Sequence, residues 1–405
     1  MKMPRALQIP GFGQYCLGQG LSIVGTGMQC VLVPWYVFYQ TKSPLALAMV
    51  AVTTALSLCL LCPVGGVVAD RYNRWTILII SQVVALAQAA ALGLIAMTGA
   101  FNLWVVLALN FLAGTITAFE APARDAFKSE LAGEDTLAAA LGFYGTVDTT
   151  AFALGQAIGG VMIVSLSGDA ATVCFLVNAA SYLAALGALL AVRSRTVPVA
   201  PQKMPALSMM EWLRLVSSGR LVLGLMLQTA IVVLFCTRFD PLLPAYAEGE
   251  LKSVEATGWL KVAMVIGAIL GGLLMGRIAS KESQLRWSYR MLIALPVVLL
   301  IWFVIAWEPI SASLVVVIVS GVLLVQDRCC AASLLTSVAP QMRGRVASWR
   351  ITLIWGLEFL VAVPLGWAAA TGGVLPVLII SATIGAVFAI ALWLFARPRV
   401  SEATA

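Results

Sequence analysis

Apolar runs of more than 20 residues, broken by short clusters of Gly, Pro or charge, recur along the whole chain. They fall at 11–39, 45–69, 75–99, 102–122, 137–164, 170–192, 219–247, 255–279, 287–307, 311–337, 347–370 and 373–396. A helix crosses the hydrocarbon core of a bilayer with about 20 mostly apolar residues, so each run is long enough to span. The pattern predicts an all-α membrane protein of twelve transmembrane helices. The first run begins behind Lys2 and Arg5, as a signal peptide would. Its length and its Gln14, Gln19 and Gln29 instead predict a retained helix.

Composition agrees. Of 405 residues, 61% are hydrophobic and 11% charged, with mean hydropathy +0.99. Soluble domains carry about one-quarter charged residues, so a soluble chain of this make-up could not cover its surface. Histidine is absent, which excludes His-ligated zinc or haem and a Ser-His-Asp triad. The eight cysteines lie inside apolar runs. Cys59 and Cys62 have redox spacing, and Cys329 and Cys330 are adjacent, but inside spanning helices both pairs read as small apolar fillers. There is no Walker A sequence, and neither a cofactor nor a metal is expected.

The net charge of +7 is a topology signal and does not point to nucleic acid. Placing the N-terminus inside assigns 70–74, 123–136, 193–218, 277–290, 339–350 and both tails to the cytoplasm. With their flanks these hold 20 of the 25 Lys and Arg residues, as positive-inside topology requires. The segment 193–218, with Pro198, Pro201 and Pro205, reads as a linker between a six-helix bundle at 1–192 and another at 219–405. The halves echo each other at an offset near 206: Gly65-Gly66-Val67-Val68 with Arg71 matches Gly271-Gly272-Leu273-Leu274 with Arg277, and Glu120 falls near Asp327. Two pseudo-symmetric six-helix repeats, with a substrate site near the midplane, form a transporter architecture.

Gly66-Val-Val-Ala-Asp70-Arg71-Tyr-Asn73-Arg74 sits between the second and third runs. Here the chain resembles the major facilitator superfamily, whose signature is Gly-x-x-x-Asp-(Arg/Lys)-x-Gly-(Arg/Lys)-(Arg/Lys). Gly66, Asp70, Arg71 and Arg74 match, with Asn73 in place of Gly and Trp75 in place of the last base. Gly66 is expected to let two helices approach closely, and Asn73 to tolerate a left-handed turn. Phe119-Glu120-Ala121-Pro122-Ala123-Arg124-Asp125-Ala126-Phe127, followed by Glu130-Leu131, and Arg343-Gly344-Arg345-Val346 resemble the enterobactin-exporter and macrolide-efflux branch. That resemblance implies that Glu120 latches the motif arginine, Arg74, at an inner gate. Glu120 and Arg124 also have the spacing of a helical ion pair. Gly155-Gln156-Ala157-Ile158-Gly159-Gly160 resembles the superfamily's antiporter motif, with Gln156 where Pro is usual.

Charges inside the bilayer mark function or a paired structural role. Asp148 and Glu358 fall near mid-membrane and are candidates to carry a coupling proton. Arg238, Asp240 and Lys261 share one depth and sum to two positive charges against one negative, which suggests an anion site or an outer latch. Asp327 and Arg328 suggest an inner pair, and Trp355 could stack on an aromatic substrate. The expectation is a non-enzymatic, monomeric, proton-coupled exporter in a bacterial inner membrane with both termini cytoplasmic. Its substrate would be an amphiphilic, anionic small molecule such as a siderophore. The alternatives are a multidrug or macrolide pump, a lipid or lysolipid translocator, and a sensor or scaffold that has lost transport.

Overall fold

The computed structural model describes residues 9–132, 137–192, 220–275, 278, 280–305, 308–338 and 343–402. The linker expected at 193–218 therefore lies outside the described residues, as does the Arg277 of the repeat. Helices account for the described chain in this order: α1 Phe12–Thr41, α2 Pro44–Arg71, α3 Arg74–Thr98, α4 Leu103–Ala132, α5 Leu137–Leu166 and α6 Ala170–Val192. Then come α7 Arg220–Ile231, α8 Phe239–Leu251, α9 Ala256–Met275, α10 Lys281–Ile305, α11 Pro309–Thr336, α12 Arg343–Gly372 and α13 Val374–Glu402. Among the described residues, eleven stretches are long and apolar enough to cross a membrane; one of them, Phe143–Val192, holds both α5 and α6. The seventh pass consists of α7, a π turn at Val232–Cys236, and α8.

Helices dominate because a bilayer offers no water to unpaired backbone groups. Their ends are set locally. Asn73 caps α3, its Oδ1 accepting from the Thr76 amide at 3.1 Å. Gly99 closes the same helix at φ 68°. Asn73 is itself extended, at φ −64° and ψ 118°, so the left-handed turn expected of it is not formed; it acts as an N-cap. The loop expected at 123–136 is also corrected, since α4 runs on to Ala132 through Pro122. Beyond Pro122 the helix buries Ala123, Phe127 and Leu131, and Lys128 with them, its Nζ 2.6 Å from Asp125 Oδ1 and 4.2 Å from the centre of the Tyr144 ring.

Two compact units emerge. In one, residues 12–41 and 53–192, α1 packs on α5 and α6, and α3 on α4 and α6. In the other, residues 42–52 and 220–402, α11 packs on α9 and α10, and α10 on α13. Backbone-to-backbone contact at glycine recurs in both. A Cβ at Gly65 would collide with the Ala118 carbonyl and stand 3.1 Å from Phe119 Cα; one at Gly271 would stand 2.8 Å from the Gly321 carbonyl oxygen. These two positions are 206 apart, the offset of the sequence repeat. A Cβ at Gly66 would meet nothing within 4 Å, so the close approach expected of Gly66 belongs to Gly65. Exposed Leu60, Ile80, Leu183, Leu273, Ile310 and Leu394 present the apolar surface that a bilayer covers.

Candidate functional site

The seventh pass departs from α geometry where its chemistry lies. In a regular helix Thr229 and Thr237, eight residues apart, would point about 80° away from each other. The π turn holds one extra residue, which takes out roughly 100° and returns Thr237 to the face of Thr229. Thr237 N donates to the Val232 carbonyl across this turn at 3.0 Å. Ser381 of α13 donates to the Phe235 carbonyl at 3.1 Å. Arg238 stands at the N-cap of α8. Its Nη2 donates to Thr237 Oγ1 (2.9 Å) and to Glu358 Oε2 of α12. The Arg238 side chain is 2% exposed and that of Glu358 16%. Ala48 and Ala51 help line a small void over the pair.

Asp240 pairs with Lys261 of α9. The unbalanced positive charge expected at Arg238, Asp240 and Lys261 is therefore corrected: Glu358, 120 positions from Arg238, completes two ion pairs. Glu358, a candidate proton carrier, is held by a buried guanidinium. The other candidate, Asp148 on α5, makes no hydrogen bond or ion pair among the described residues; Arg124 and Tyr144 are its electrostatic neighbours.

A cavity of about 300 Å³ opens within the second unit. Thr229, Val232, Val233 and Thr237 line it from the seventh pass, Leu323, Leu324, Gln326 and Asp327 from α11, and Arg350, Ile354 and Glu358 from α12. Its middle is apolar and its ends are charged. At one end Arg350 pairs with Asp327 and its Nε donates to Thr229 Oγ1 at 3.4 Å. At the other end stands Glu358, backed by Arg238. The partner expected for Asp327 was Arg328. Arg328 is 4.0 Å away and largely exposed, and the close partner is Arg350. Trp355 is not among the lining residues, since Ile354 and Glu358 take that face of α12.

In the first unit Arg74 pairs with Glu130 rather than with Glu120. Glu120 binds Arg124 one helical turn on, at 3.3 Å, and accepts from Gln82 Nε2 at 3.1 Å. Ser22 Oγ donates to Gln82 Oε1 at 3.5 Å, extending the chain to α1. Arg71 is exposed at the end of α2, and the side chain of Asp70 lies outside the described residues. A Cβ at Gly155 would collide with the Val24 carbonyl, and one at Gly159 would stand 3.1 Å from that of Met28, so the Gly-rich segment of α5 is a close-packing face against α1.

Sequence reasoning does not single out Arg350, Gln82, Thr229 or Thr237, and it names Glu130 only within the stretch that carries the branch resemblance. Arg350 was counted with a basic loop; the Thr229–Thr237 alignment depends on a π turn that composition does not signal. Glu130, by contrast, lies among charges already flanking Arg124.

The sequence model of the Major Facilitator Superfamily matches residues 15–357. The chain belongs to the Major Facilitator Superfamily. Within the superfamily it is similar to macrolide efflux protein A of Streptococcus pyogenes, 21% identical over 285 residues, 66% of this chain and 66% of that protein. It is also similar to the enterobactin exporter EntS of Shigella flexneri, 26% identical over 275 residues, 67% of this chain and 63% of that protein. The matches thus span slightly under two thirds of these relatives' own length. Among solved structures, the nucleoside transporter NupG superposes with TM-score 0.72 at 11% identity, over 95% of this chain and 98% of that one. A bacterial homologue of the iron transporter ferroportin, inward-facing, gives 0.68 at 16% identity, over 94% and 98%. At these identities the structures show the fold alone: this chain is a multi-pass membrane protein with a transporter fold.

Proposed function

We propose that this superfamily member is a secondary transporter that exports an amphiphilic small molecule by alternating access, driven by the proton gradient. The observation that carries the reading is the cavity of the second unit, with an apolar middle and a member of an ion pair at each end. Polar groups placed in an apolar cavity orient a ligand, and charges kept in a membrane interior are expensive and so mark a functional site or a paired structural role. The similarity to two efflux proteins favours export. With Glu358 cancelling the charge of Arg238, the case for a purely anionic substrate weakens, and a drug-like amphiphile fits as well as a siderophore. Asp148 is the coupling acid in this reading, because Glu358 is committed to Arg238. We place the protein in a bacterial inner membrane with both termini cytoplasmic, from the positive-inside distribution.

The test is flux in proteoliposomes that carry an imposed pH gradient, with a macrolide, a catecholate siderophore and a lipophilic cationic dye as cargo. Movement of at least one of them that collapses with a protonophore supports the reading. Absence of gradient-dependent movement of all three, from protein that is folded by circular dichroism, would overturn it.

A further inference from the structure

We propose that the cavity of the second unit selects an elongated bipolar amphiphile: a protonated amine at the Glu358 end, an apolar middle, and a carboxylate or comparable acceptor at the Arg350 end. This rests on the transport reading and names its substrate class. Arg350, Ile354 and Glu358 are four residues apart on α12, so they form one stripe whose ends are about 12 Å apart. The π turn brings Thr229 and Thr237 onto a matching face of the seventh pass, one Thr beside each end.

The two ends differ in sign. At the Glu358 end the arginine does not line the cavity; Arg238 stands behind, so what faces a ligand is a carboxylate. One Arg238 contact leaves most of the roughly four acceptor sites of a carboxylate unused. At the Arg350 end both partners line the cavity. Bonds to Asp327 and Thr229 leave further guanidinium donors out of five. A cation placed there would meet Arg350 and Arg328 against Asp327 alone, two positive charges to one negative, and an anion placed at the Glu358 end would face a carboxylate. A simple acid or a simple amine can satisfy one end only; a molecule bearing both groups about 12 Å apart satisfies both, in one orientation.

Binding to the full-length protein in lipid nanodiscs, measured calorimetrically against empty nanodiscs, tests this. The probes are ω-aminodecanoic acid, decylamine, decanoic acid and decanedioic acid. We expect ω-aminodecanoic acid to bind at least about tenfold tighter than the other three, since each charge-assisted contact contributes on the order of a tenfold factor. Glu358→Gln should reduce it to the level of decanoic acid, and Arg350→Gln to that of decylamine. Equal affinities across the wild-type series, or a preference for the dicarboxylate, would overturn the proposal whether or not either variant folds. The flux experiment separates the two readings. Cargo movement with the wrong probe ranking removes only the bipolar site, while the expected ranking without any movement removes the transport reading.

Discussion

Arg238 is almost wholly withdrawn from solvent, and its Nε and Nη1 find no acceptor among the described residues, so its charge is balanced through Nη2 alone, by Glu358 with help from Thr237. Breaking a buried pair by removing one partner leaves an uncompensated charge, which costs about 3–5 kcal/mol, whereas removing both is far milder. Glu358→Gln should therefore destabilise the protein by that order in SDS-induced unfolding, and Arg238→Gln added to it should recover most of the loss. A double variant as unstable as the single would mean that the pair is not the source. Glycine offers a second contrast. Gly65→Ala drives a methyl into the Ala118 carbonyl, and overpacking of this kind costs about 1–3 kcal/mol. Gly66→Ala meets only open space and should be neutral or stabilising by up to about 1 kcal/mol, in line with helix propensity; the same unfolding assay ranks the two. At this scale the chain was legible where chemistry is local. Glu120 and Arg124 pair as their spacing on one helix implies, whereas Arg74 with Glu130 and Arg238 with Glu358 join different helices. No one-dimensional spacing encodes such partners, because tertiary packing selects them.

Most helices could be placed from the hydrophobic pattern because the bilayer penalises every unpaired backbone group, so a long apolar run has little choice but to be helical. The pattern lost accuracy where a helix leaves the apolar layer. The continuation of α4 past Pro122, and the start of α10 at Lys281, carry charge and so resemble loops in composition, although their buried faces continue the helix. The π turn was invisible for another reason: Val232–Cys236 is as apolar as its surroundings, and only the partner of its freed carbonyl marks it. Ser381 is that partner. Losing the hydroxyl leaves the Phe235 carbonyl unsatisfied in an apolar setting, which costs on the order of 1–3 kcal/mol. Ser381→Ala should lower stability by that amount, and because the turn sets the direction of Thr237 and Arg238 it should also weaken ω-aminodecanoic acid binding several-fold. Ser381→Thr, which keeps the donor, should restore binding. Unchanged binding in Ser381→Ala, measured calorimetrically, would show that the turn holds its register without Ser381.

Across the whole molecule the two units carry different chemistry on one repeated scaffold. The repeat itself was legible, since Gly65 and Gly271 are both points of close backbone contact and stand 206 positions apart. What each half does with its charges was not. The first unit places Asp148 near Arg124 and Tyr144, next to the chain from Glu120 through Gln82 to Ser22. The second surrounds a cavity with two complete ion pairs. If the first unit handles the proton and the second the ligand, single substitutions should separate energy coupling from binding. Asp148→Asn keeps the shape and polarity of the side chain but cannot change charge with pH. It should bind ω-aminodecanoic acid within about twofold of wild type and lose gradient-driven flux, while exchange down a substrate gradient continues. Arg350→Gln should do the reverse, weakening binding about tenfold or more, the value of one charge-assisted contact. Residual flux at saturating substrate should still respond to the pH gradient. Both quantities come from one protein preparation, divided between calorimetry in nanodiscs and flux in proteoliposomes. If Asp148→Asn retained full gradient-driven flux, the proton would have to be carried elsewhere. Glu358 would then be the next acid to test, in the background of Arg238→Gln, where its carboxylate is released from the arginine.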